Sequence, residues 1–420
     1  MNVVITGATG FVGSALTAGF LRLGHCVIAL SRNDSDGKRT IHAVRDALDG
    51  FDARTPMSVL DRLKVRPIDF DNLEQLRHLE CFDHADIVWH VAADMTYSSR
   101  KFQRAFKQNV TATLDFYKIM KEVAPQCHRF FYVSTAYTGG FGQDHIPEAI
   151  HLGPDMQNVY QASKWAAESS LHRASTEIGL PVTIFRPTIV VGHKRTGWHG
   201  KSEFGLYGFI NAAIKAYLSK QPSLRFDLDP EVHLNLITID RLVDYALKLS
   251  IRNPTVKTEI YNAAAKEGVS VGVLLREFTS QLGIPVTAGP PQTIFDKVVD
   301  QMVKLNINFA LRTWTFDISN LQKTLGDTFD PLVLSEKNLK IIVGEFIRRK
   351  VRTHEIQLKR SQFSPEDVLR HELKRARKAL EMVGLSVKTG SNASVTIGKP
   401  KVSIKSLLGE ALKNSNDRSM

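Results

Sequence analysis

The first half of the chain alternates short apolar runs with stretches whose apolar residues recur at helical spacing. The helical spacing begins at residues 13–23 and fills the intervals between the apolar runs. Such alternation is typical of a parallel sheet whose connecting helices pack on both faces. The pattern therefore predicts an α/β fold built on a doubly wound parallel sheet. The strand-like runs are residues 2–6, 25–30, 64–68, 87–91, 129–134 and 182–186.

The regular alternation weakens after residue 186. Residues 192–205 are rich in Gly, His and Lys, which predicts a loop. Helical spacing returns over residues 204–218 and 239–249, and residues 234–237 resemble a strand returning to the sheet. A helix-rich section then follows, so the second half is expected to be smaller in sheet content and mostly helical.

Three divisions follow from these patterns. The sheet and its cofactor site are expected within residues 1–265, with the substrate elements mainly in residues 192–240. A smaller, mostly helical C-terminal region occupies residues 266–350. Residues 351–420 are expected to form a basic helical or flexible tail, with one helix over residues 365–382 that follows a Ser-Pro start.

The formal net charge of +12 is spread unevenly. Residues 346–420 contain 17 Lys and Arg against 7 Asp and Glu, so most of the excess belongs to the tail. A basic tail can attract an acidic carrier protein or an anionic membrane surface, although a solvated helix is an equal alternative. The tail contains no recognisable nucleic-acid-binding module, so nucleic acid is not an expected partner.

The composition is typical of a soluble globular enzyme, with 43% hydrophobic and 23% charged residues. Cys26, Cys81 and Cys127 are far apart, which favours free thiols in a reducing compartment. The N-terminus lacks the features of a signal peptide, and no run approaches the roughly 20 apolar residues that span a bilayer. We expect a cytoplasmic protein, and the sequence does not fix its oligomeric state.

A glycine-rich motif, TGATGFVG at residues 6–13, joins the first strand to the first helix. Its first glycine permits a tight turn, the second lets the backbone approach a pyrophosphate, and the third allows close packing of helix and strand. The start of the helix then offers N–H groups and a partial positive charge to the phosphates. The predicted cofactor contacts are Thr6, Gly7, Thr9, Gly10, Phe11, Val12 and Gly13.

The end of the second strand distinguishes the two nicotinamide dinucleotides. An NAD site usually has an acidic residue there, which binds the ribose hydroxyls. This strand instead runs into Ser31 and Arg32, and the first acid is Asp34. A guanidinium and a hydroxyl bind a 2′-phosphate, whereas a carboxylate repels it. We therefore predict NADP(H), with Arg32 as the main determinant; the alternative is that Asp34 folds back to serve NAD.

Two later strand ends supply further cofactor contacts. Asp69 and Phe70 follow the third strand, where the carboxylate can hold the edge of the adenine. Ala92 and Ala93 follow the fourth strand, where small residues let the backbone lie against the cofactor.

A Tyr-x-x-x-Lys pair places Tyr160 and Lys164 on one face of a helix. The ammonium and a cationic nicotinamide ring should lower the phenol pKa from about 10, so that Tyr160 can exchange a proton with a substrate oxygen. Lys164 can also hold the nicotinamide ribose. The third group is a hydroxyl after the fifth strand that donates to the substrate oxygen. We favour Thr135 over Ser134, because alternation should send the two side chains to opposite faces.

These motifs occur in one order along residues 1–265: TGATGFVG, HVAA, Asn109-Val110, VSTAY, YQASK and RPTIVVG. Together they resemble the extended short-chain dehydrogenase/reductases, which have a Rossmann fold. The resemblance implies that Thr135, Tyr160 and Lys164 form the catalytic triad. It also implies that the backbone after Arg186, at Pro187 and Ile189, lies near the nicotinamide. The cofactor-binding positions that it implies are Gly7, Gly10, Gly13, Arg32 and Asp69.

A narrower resemblance is carried by STAYTGG, NVYQASKWAAE, GHKRTGW and LNLITIDRLVD, and by residues 314–317 with Asn320-Leu321. These segments are similar to the branch that holds fatty acyl reductases and carrier-bound thioester reductases. The resemblance implies NADPH-dependent reduction of an acyl thioester, bound to coenzyme A or to a carrier protein, to an aldehyde or an alcohol. The sequence contains no adenylation or carrier domain, and the part beyond about residue 350 matches no family that we can name.

The substrate pocket is expected after residue 186, because the earlier residues are committed to the sheet and the cofactor. Apolar side chains there suit an acyl chain, whereas the basic ones suit the phosphate of an acyl donor or of a nucleotide sugar. The alternatives are therefore a ketone or hydroxyl oxidoreductase, a nucleotide-sugar epimerase, or a cofactor-binding scaffold with a basic tail. The pocket candidates are Trp198, Phe204, Leu206, Tyr207, Phe209 and Ile210, with the basic Lys194, Arg195 and Lys201.

The 14 histidines show no spacing typical of metal ligands, so no metal site is expected. His193 and His199 lie in the loop predicted over residues 192–205, and we expect both to be solvated.

Overall fold

The computed structural model describes residues 1–153 and 155–360, together with residues 385–387 and 395–397. The helix predicted over residues 365–382 lies outside the described residues. The two short tail segments pair as antiparallel strands, a feature that the sequence did not predict.

Most of the described strands are short. The strands are β1 (Asn2–Thr6), β2 (Cys26–Ser31), β3 (Leu63–Pro67), β4 (Ile87–His90), β5 (Arg129–Val133), β6 (His145–Ile146), β7 (Val182–Pro187), β8 (Ile189–Val191), β9 (Leu224–Phe226), β10 (His233–Leu234), β11 (Leu236–Thr238), β12 (Thr258–Ala263), β13 (Val269–Ser270), β14 (Val286–Ala288), β15 (Thr315–Phe316), β16 (Leu385–Val387) and β17 (Val395–Ile397).

None of the described helices is long and apolar enough to cross a lipid bilayer. The helices are α1 (Phe11–Arg22), α2 (Lys38–Asp52), α3 (Phe102–Phe106), α4 (Ala112–Val123), α5 (Val159–Ile178), α6 (Leu206–Leu218), α7 (Ile239–Ser250), α8 (Val271–Leu282), α9 (Ile294–Ile307), α10 (Ser319–Leu325) and α11 (Glu336–Arg360).

Seven strands form one parallel sheet in the order β12-β7-β5-β4-β1-β2-β3. The chain first builds outward from β1 to β3 and then crosses back to β4, so the strand order reverses between β1 and β4. Sheets of this kind bind ligands outside the carboxyl ends of the strands at such a reversal. The predicted doubly wound parallel sheet is confirmed, and its six predicted strands agree to within one residue. The seventh strand, β12, was not predicted.

Each face of the sheet has its own core, because alternate strand residues point to opposite sides. Val3 and Ile5 of β1 join the core covered by α1, α2 and α7. Val4 joins the core covered by α4 and α5. The nearly continuous apolar sequence of these strands follows from this double burial, since a parallel sheet with helices on both faces is buried on both.

A third core lies in the second half of the chain and is built largely by α6, α8, α9 and the first half of α11. The strand expected over residues 234–237 is corrected here: it is split into β10, which pairs with β13, and β11, which pairs with β8. Neither piece joins the seven-stranded sheet. The break falls at Asn235, whose carboxamide accepts from Thr188 and from the N–H of Ala265. The boundary expected after residue 350 falls inside α11.

A buried ion pair joins α5 to β7. Arg186 Nε and Nη2 donate to the two carboxylate oxygens of Glu168 at 3.0 and 2.6 Å, and both side chains are at most 1% exposed. Glu168 also accepts from Thr138 Oγ1 at 3.3 Å, in the turn that follows β5. Since a buried charge is tolerated only when it is paired, this arrangement fixes the turn, the helix and the strand relative to one another.

The first prediction tests this ion pair. Glu168→Gln leaves Arg186 buried without a counter-charge, so the free energy of unfolding should fall by about 3–5 kcal/mol. The measurement is urea unfolding followed by circular dichroism.

Glu177→Gln is the matched control on the same helix. Glu177 also pairs with an arginine, Arg173, but both side chains are mostly exposed, so stability should hardly change. Equal losses in the two variants would contradict the importance assigned to the buried pair.

Candidate active site

A cavity of about 670 Å³ opens at the carboxyl ends of β1, β4, β5 and β7. The turn before α1, part of α5 and residues around α6 and α9 complete its wall. All predicted catalytic and cofactor-binding residues line this cavity, except Thr6 and Asp69. Those lining residues are Gly7, Thr9, Gly10, Phe11, Val12, Gly13, Ser31, Arg32, Phe70, Ala92, Ala93, Thr135, Tyr160, Lys164, Pro187 and Ile189.

The glycine-rich turn packs backbone directly on backbone. Gly7 has a φ of +76°, and a Cβ there would lie 2.8 Å from the nitrogen of Ala92. A Cβ on Gly13 would lie 2.2 Å from the carbonyl oxygen of Gly7. A Cβ on Gly10 would meet only the Gly7 oxygen, at 3.4 Å, so this position has more space. The residues present therefore fit a dinucleotide whose pyrophosphate lies at the start of α1.

The Thr6 hydroxyl supports the glycine-rich turn through a buried hydrogen-bond network. Its hydroxyl oxygen accepts from the N–H groups of Val91 and Ala92, each at 3.1 Å. The hydroxyl proton therefore goes to Nδ1 of His90 at 2.9 Å, and Nε2 of His90 donates to Thr113 at 3.0 Å. Burial lowers the pKa of His90 to about 3, which keeps this imidazole neutral. The network fixes the segment after β4 beside the glycine turn.

Asp34 faces away from the cavity. Its carboxylate accepts from the N–H groups of Arg39 and Thr40, at 3.0 and 2.9 Å, and from the Thr40 hydroxyl at 2.6 Å. These contacts bring Asp34 to the first turn of α2, where a negative charge is favoured. Because Thr40 gives its proton to Asp34, Ser31 must donate its own proton to Thr40, at 2.6 Å. The Ser31 hydroxyl therefore has no proton left for a phosphate.

Two arginines line the same end of the cavity. Arg32 Nη1 donates to Oε1 of Gln108 at 3.1 Å. Arg39 Nη1 donates to the carbonyl oxygens of Arg32 and Asn33, at 3.3 and 3.0 Å. The bound oxygens are all neutral, so this end keeps a positive charge that suits an anionic ligand. The sequence reasoning missed Arg39, although its signal was a basic residue in the first turn of a helix.

Asp69 lies just outside this end of the cavity. Its carboxylate accepts from the N–H of Asp71 at 2.9 Å, within its own turn. The neighbouring Phe70 lines the cavity and packs edge-on against His90.

Tyr160 and Lys164 both line the cavity from α5. Burial, followed by Tyr97 and Glu168, raises the pKa of Tyr160, which is opposite to the direction expected from the sequence. Lys164 Nζ instead donates to the carbonyl of Val133 at 2.6 Å and lies 4.0 Å from the centre of the Tyr132 ring. Burial lowers the pKa of Lys164 to about 7.

Ser134 and Thr135 both line the cavity, so alternation does not separate them as expected. The chain has already left β5 at Val133, which explains the difference. Thr135 Oγ1 accepts from the N–H of Tyr137 at 3.4 Å, which leaves its proton free to be donated. The Ser134 hydroxyl oxygen is fully buried and has no hydrogen-bond partner in the described chain. Both hydroxyls therefore keep a proton that can be donated, and the geometry does not choose between them.

Tyr97 is a cavity residue that the sequence reasoning missed. Its ring lies edge-on to Tyr160, with ring centres 6.0 Å apart. The segment before it is held by Asn109, which bonds both the N–H and the carbonyl of Asp94, at 2.7 and 2.9 Å. Asn109 also donates to the hydroxyl of Ser163 on α5 at 2.9 Å. Asn109 occurred in a recognised motif, but nothing local indicated this contact.

The apolar wall only partly matches the predicted one. Of the six apolar candidates, Phe204, Leu206 and Phe209 line the cavity, and so does the basic Lys201. Trp198, Tyr207 and Ile210 are instead buried in the protein cores. The expectation that the wall comes only from residues after 186 is corrected, because Tyr97 and Tyr137 also contribute. Asn306, Phe309 and Ala310, from the C-terminal region, line it too.

His193 and His199 are each only 4% exposed, so the expectation of solvated side chains was wrong. The loop over residues 192–205 contains no helix or strand, as predicted, but it packs tightly against its neighbours. Trp198 donates to Asp46 of α2 at 2.8 Å. His199 packs against the rings of Tyr207 and Phe346, with ring centres 5.3 and 4.8 Å away.

Fold and site together define an NAD(P)-binding protein of the extended short-chain dehydrogenase/reductase class. Residues 5–245 match the NAD-binding family described as male sterility protein. The match covers more than half of the chain, and the chain belongs to this family. Such a protein is an NAD(P)-dependent oxidoreductase.

Relatives in sequence point to large biosynthetic enzymes. The chain is 31% identical over 199 residues to a polyketide synthase-nonribosomal peptide synthetase of Aspergillus clavatus. The matched region is 45% of this chain but 4% of that protein, so the chain spans only a small part of the length of this relative.

Solved structures with the same fold include two reductases and an epimerase. The terminal R domain of the myxalamid PKS-NRPS pathway has a TM-score of 0.67 at 19% identity, over 83% of this chain and 91% of that one. A thiolation-reductase di-domain of an archaeal non-ribosomal peptide synthetase scores 0.66 at 19% identity, over 84% and 76%. UDP-glucuronic acid 4-epimerase from Bacillus cereus, in complex with NAD, scores 0.60 at 19% identity, over 83% and 97%.

The second prediction concerns His199 and acid stability. Burial, with the nearby Arg349 and Lys350, lowers the pKa of His199 from 6.5 to about 4. The unfolded chain therefore takes up this proton first, so the free energy of unfolding should fall as the pH drops from 6.5 to about 4. His199→Phe should remove a part of this loss on the order of 3 kcal/mol, measured by urea unfolding across that range.

Tyr207→Phe is the control in the same cluster. It removes a buried hydroxyl that does not titrate in this range, so the acid dependence of the unmodified protein should persist. An unchanged acid profile in His199→Phe would contradict the assignment.

Proposed function

We propose that the protein is an NADPH-dependent reductase of acyl thioesters, carried on coenzyme A or a carrier protein, that yields an aldehyde or an alcohol. One observation supports this most: a single cavity combines the glycine cradle, the Tyr160 and Thr135 side chains, and an apolar wall. The wall suits an acyl chain, because each buried CH₂ contributes about 0.8 kcal/mol.

Residues on both sides of the glycine turn would hold the dinucleotide. The start of α1 would hold the pyrophosphate, and Arg32 with Arg39 would bind the 2′-phosphate that distinguishes NADPH from NADH. Lys164 would hold the nicotinamide ribose. When bound, the nicotinamide supplies the hydride for the reduction.

Thr135 and Tyr160 act on the oxygen of the thioester carbonyl. The Thr135 proton is free to be donated, and the raised pKa of Tyr160 keeps its proton on the phenol until the oxygen becomes negative. Donation of that proton gives a hemithioacetal on the substrate. Return of the proton to Tyr160 then allows the carbon–sulfur bond to break, which releases an aldehyde and a thiolate that takes up a proton from water.

The acyl donor is anionic whether it is coenzyme A or a carrier protein with a phosphate-linked arm. Lys201 lines the cavity and is exposed, so it is suited to meet that phosphate. The similarity to a solved thiolation-reductase di-domain supports a carrier-bound donor. The basic tail is predicted to attract an acidic carrier or an anionic membrane, and most of its residues lie outside the described part of the chain.

The third prediction concerns the cofactor. Arg32→Asp should reverse or erase the preference for NADPH over NADH, because a close arginine–phosphate pair contributes about 1.5–3 kcal/mol. Arg39→Ala should also reduce the preference for NADPH over NADH, by weakening NADPH binding. Arg45→Ala, on the exposed side of α2, should have no effect. Titration of each protein with both cofactors is the measurement, and equal binding of both by the unmodified protein would refute the proposal.

The fourth prediction tests the reaction itself. Purified protein is incubated with NADPH and a panel of acyl-CoA, acyl-carrier, aldehyde, ketone and nucleotide-sugar substrates, and is followed by nicotinamide absorbance. Thioesters should be reduced, and Tyr160→Phe should lower turnover by roughly 10²–10⁴-fold while the fold survives. Brisk ketone reduction without thioester turnover would instead favour a ketone reductase.

Ser134→Ala and Thr135→Ala form the matched pair for the hydroxyl. Thr135→Ala should lower turnover strongly, because the family resemblance implies that Thr135 is the donor, whereas Ser134→Ala should be milder. A greater loss in Ser134→Ala would reverse the assignment.

A further inference from the structure

Asn306 is a polar side chain in the apolar wall of the cavity. It lies in the last turn of α9, between α6 and the turn at Asn308–Ala310. The same cavity is also lined by Leu206, Phe209 and Phe309. Its carboxamide is half-buried and has no hydrogen-bond partner among the described residues. A carboxamide offers two donors and an acceptor, so its place in an apolar wall calls for a reason.

Gly208 of α6 makes room for this carboxamide. A Cβ on Gly208 would lie 2.4 Å from the amide nitrogen of Asn306 and 3.5 Å from its amide carbon. The amide nitrogen therefore lies directly against the backbone of α6, at a position where any other residue would displace it. Gly208 is the third residue of α6, so it lies in the first turn of that helix.

We infer that Asn306 makes the site selective for acyl chains that carry a hydrogen-bonding group, such as a hydroxyl, over plain saturated chains of equal length. A saturated chain strips water from the carboxamide without replacing its hydrogen bonds, which is costly. A chain with a hydroxyl at the matching carbon replaces them. Sites that hydrogen-bond a substrate group discriminate strongly against analogues that lack it. This inference rests on the proposed reduction of acyl thioesters.

The test compares a plain acyl-CoA with a series of the same length in which one hydroxyl is moved stepwise along the chain. For the unmodified protein, kcat/KM should peak at one hydroxyl position, roughly threefold to tenfold above the plain chain. Asn306→Leu, which keeps the size but removes the hydrogen bonds, should bring this ratio close to one. Loss of fold lowers both substrates equally, so the ratio is insensitive to it.

Two further variants sharpen the test. Gly208→Ala should be tolerated, because alanine favours the helix and the displaced atom is the end of a flexible side chain. It should nevertheless lower the ratio or shift the preferred hydroxyl position. Asn308→Leu, the neighbouring asparagine that is absent from the cavity wall of the described chain, should leave the ratio unchanged.

Calorimetry can measure the binding of the alcohols that correspond to these acyl chains, with and without the added chain hydroxyl. This equilibrium binding separates the inference from the proposed function. Selective binding that disappears in Asn306→Leu, without any thioester turnover, would support the role of Asn306 in selectivity and refute the proposed thioester reduction. A ratio near one at every hydroxyl position, in both turnover and binding, would overturn the inference. So would a preference that Asn306→Leu leaves intact.

Discussion

The buried pair of Arg186 and Glu168 is the interaction on which the arrangement of the site depends. It joins the end of β7 to α5, and Glu168 also holds the turn after β5 through Thr138. Those three elements carry the backbone next to Pro187, the Tyr160 and Lys164 pair, and Thr135. A charge that is almost fully buried has few alternative partners, so it restricts how these elements can pack. The pair therefore positions these elements without lining the cavity itself.

The strands were predictable where burial is apolar on both faces, because such strands appear as short continuous hydrophobic runs. The prediction failed for β12, whose sequence TEIYNA is half polar. In β12, Glu259 forms an ion pair with Arg129 of β5, and Asn262 bonds the chain around β6. These partners are more than a hundred residues away in sequence. The local pattern therefore gives no sign that the polar residues of β12 are paired and buried. Asn235 interrupted the predicted strand 234–237 for the same kind of reason.

The site was predictable where its chemistry follows from a local spacing, as in the glycine turn or the Tyr-x-x-x-Lys pair. The site was not predictable where the role of a residue depends on the direction of its hydrogen bonds. From the sequence, Ser31 was expected to donate a hydrogen bond to a phosphate. The Thr40 hydroxyl donates to Asp34, however, so the Ser31 hydroxyl donates to Thr40 instead. The same contacts turn Asp34 away and leave Arg39 beside Arg32. Burial of His199 likewise depends on Phe346, which no local pattern connects to the loop.

The two ends of the cavity are built by different physical means. At the cofactor end, Gly7, Gly13 and Ala92 pack main chain against main chain, so side-chain changes there meet backbone that cannot move. At the opposite end, Phe209 and Asn306 project from helices whose core is separate from the two sheet cores. Substitutions in that wall can be absorbed by flexible side chains without disturbing the sheet. The fold therefore allows the proposed acyl substrate to change while the cofactor cradle and the proposed donor hydroxyls stay fixed.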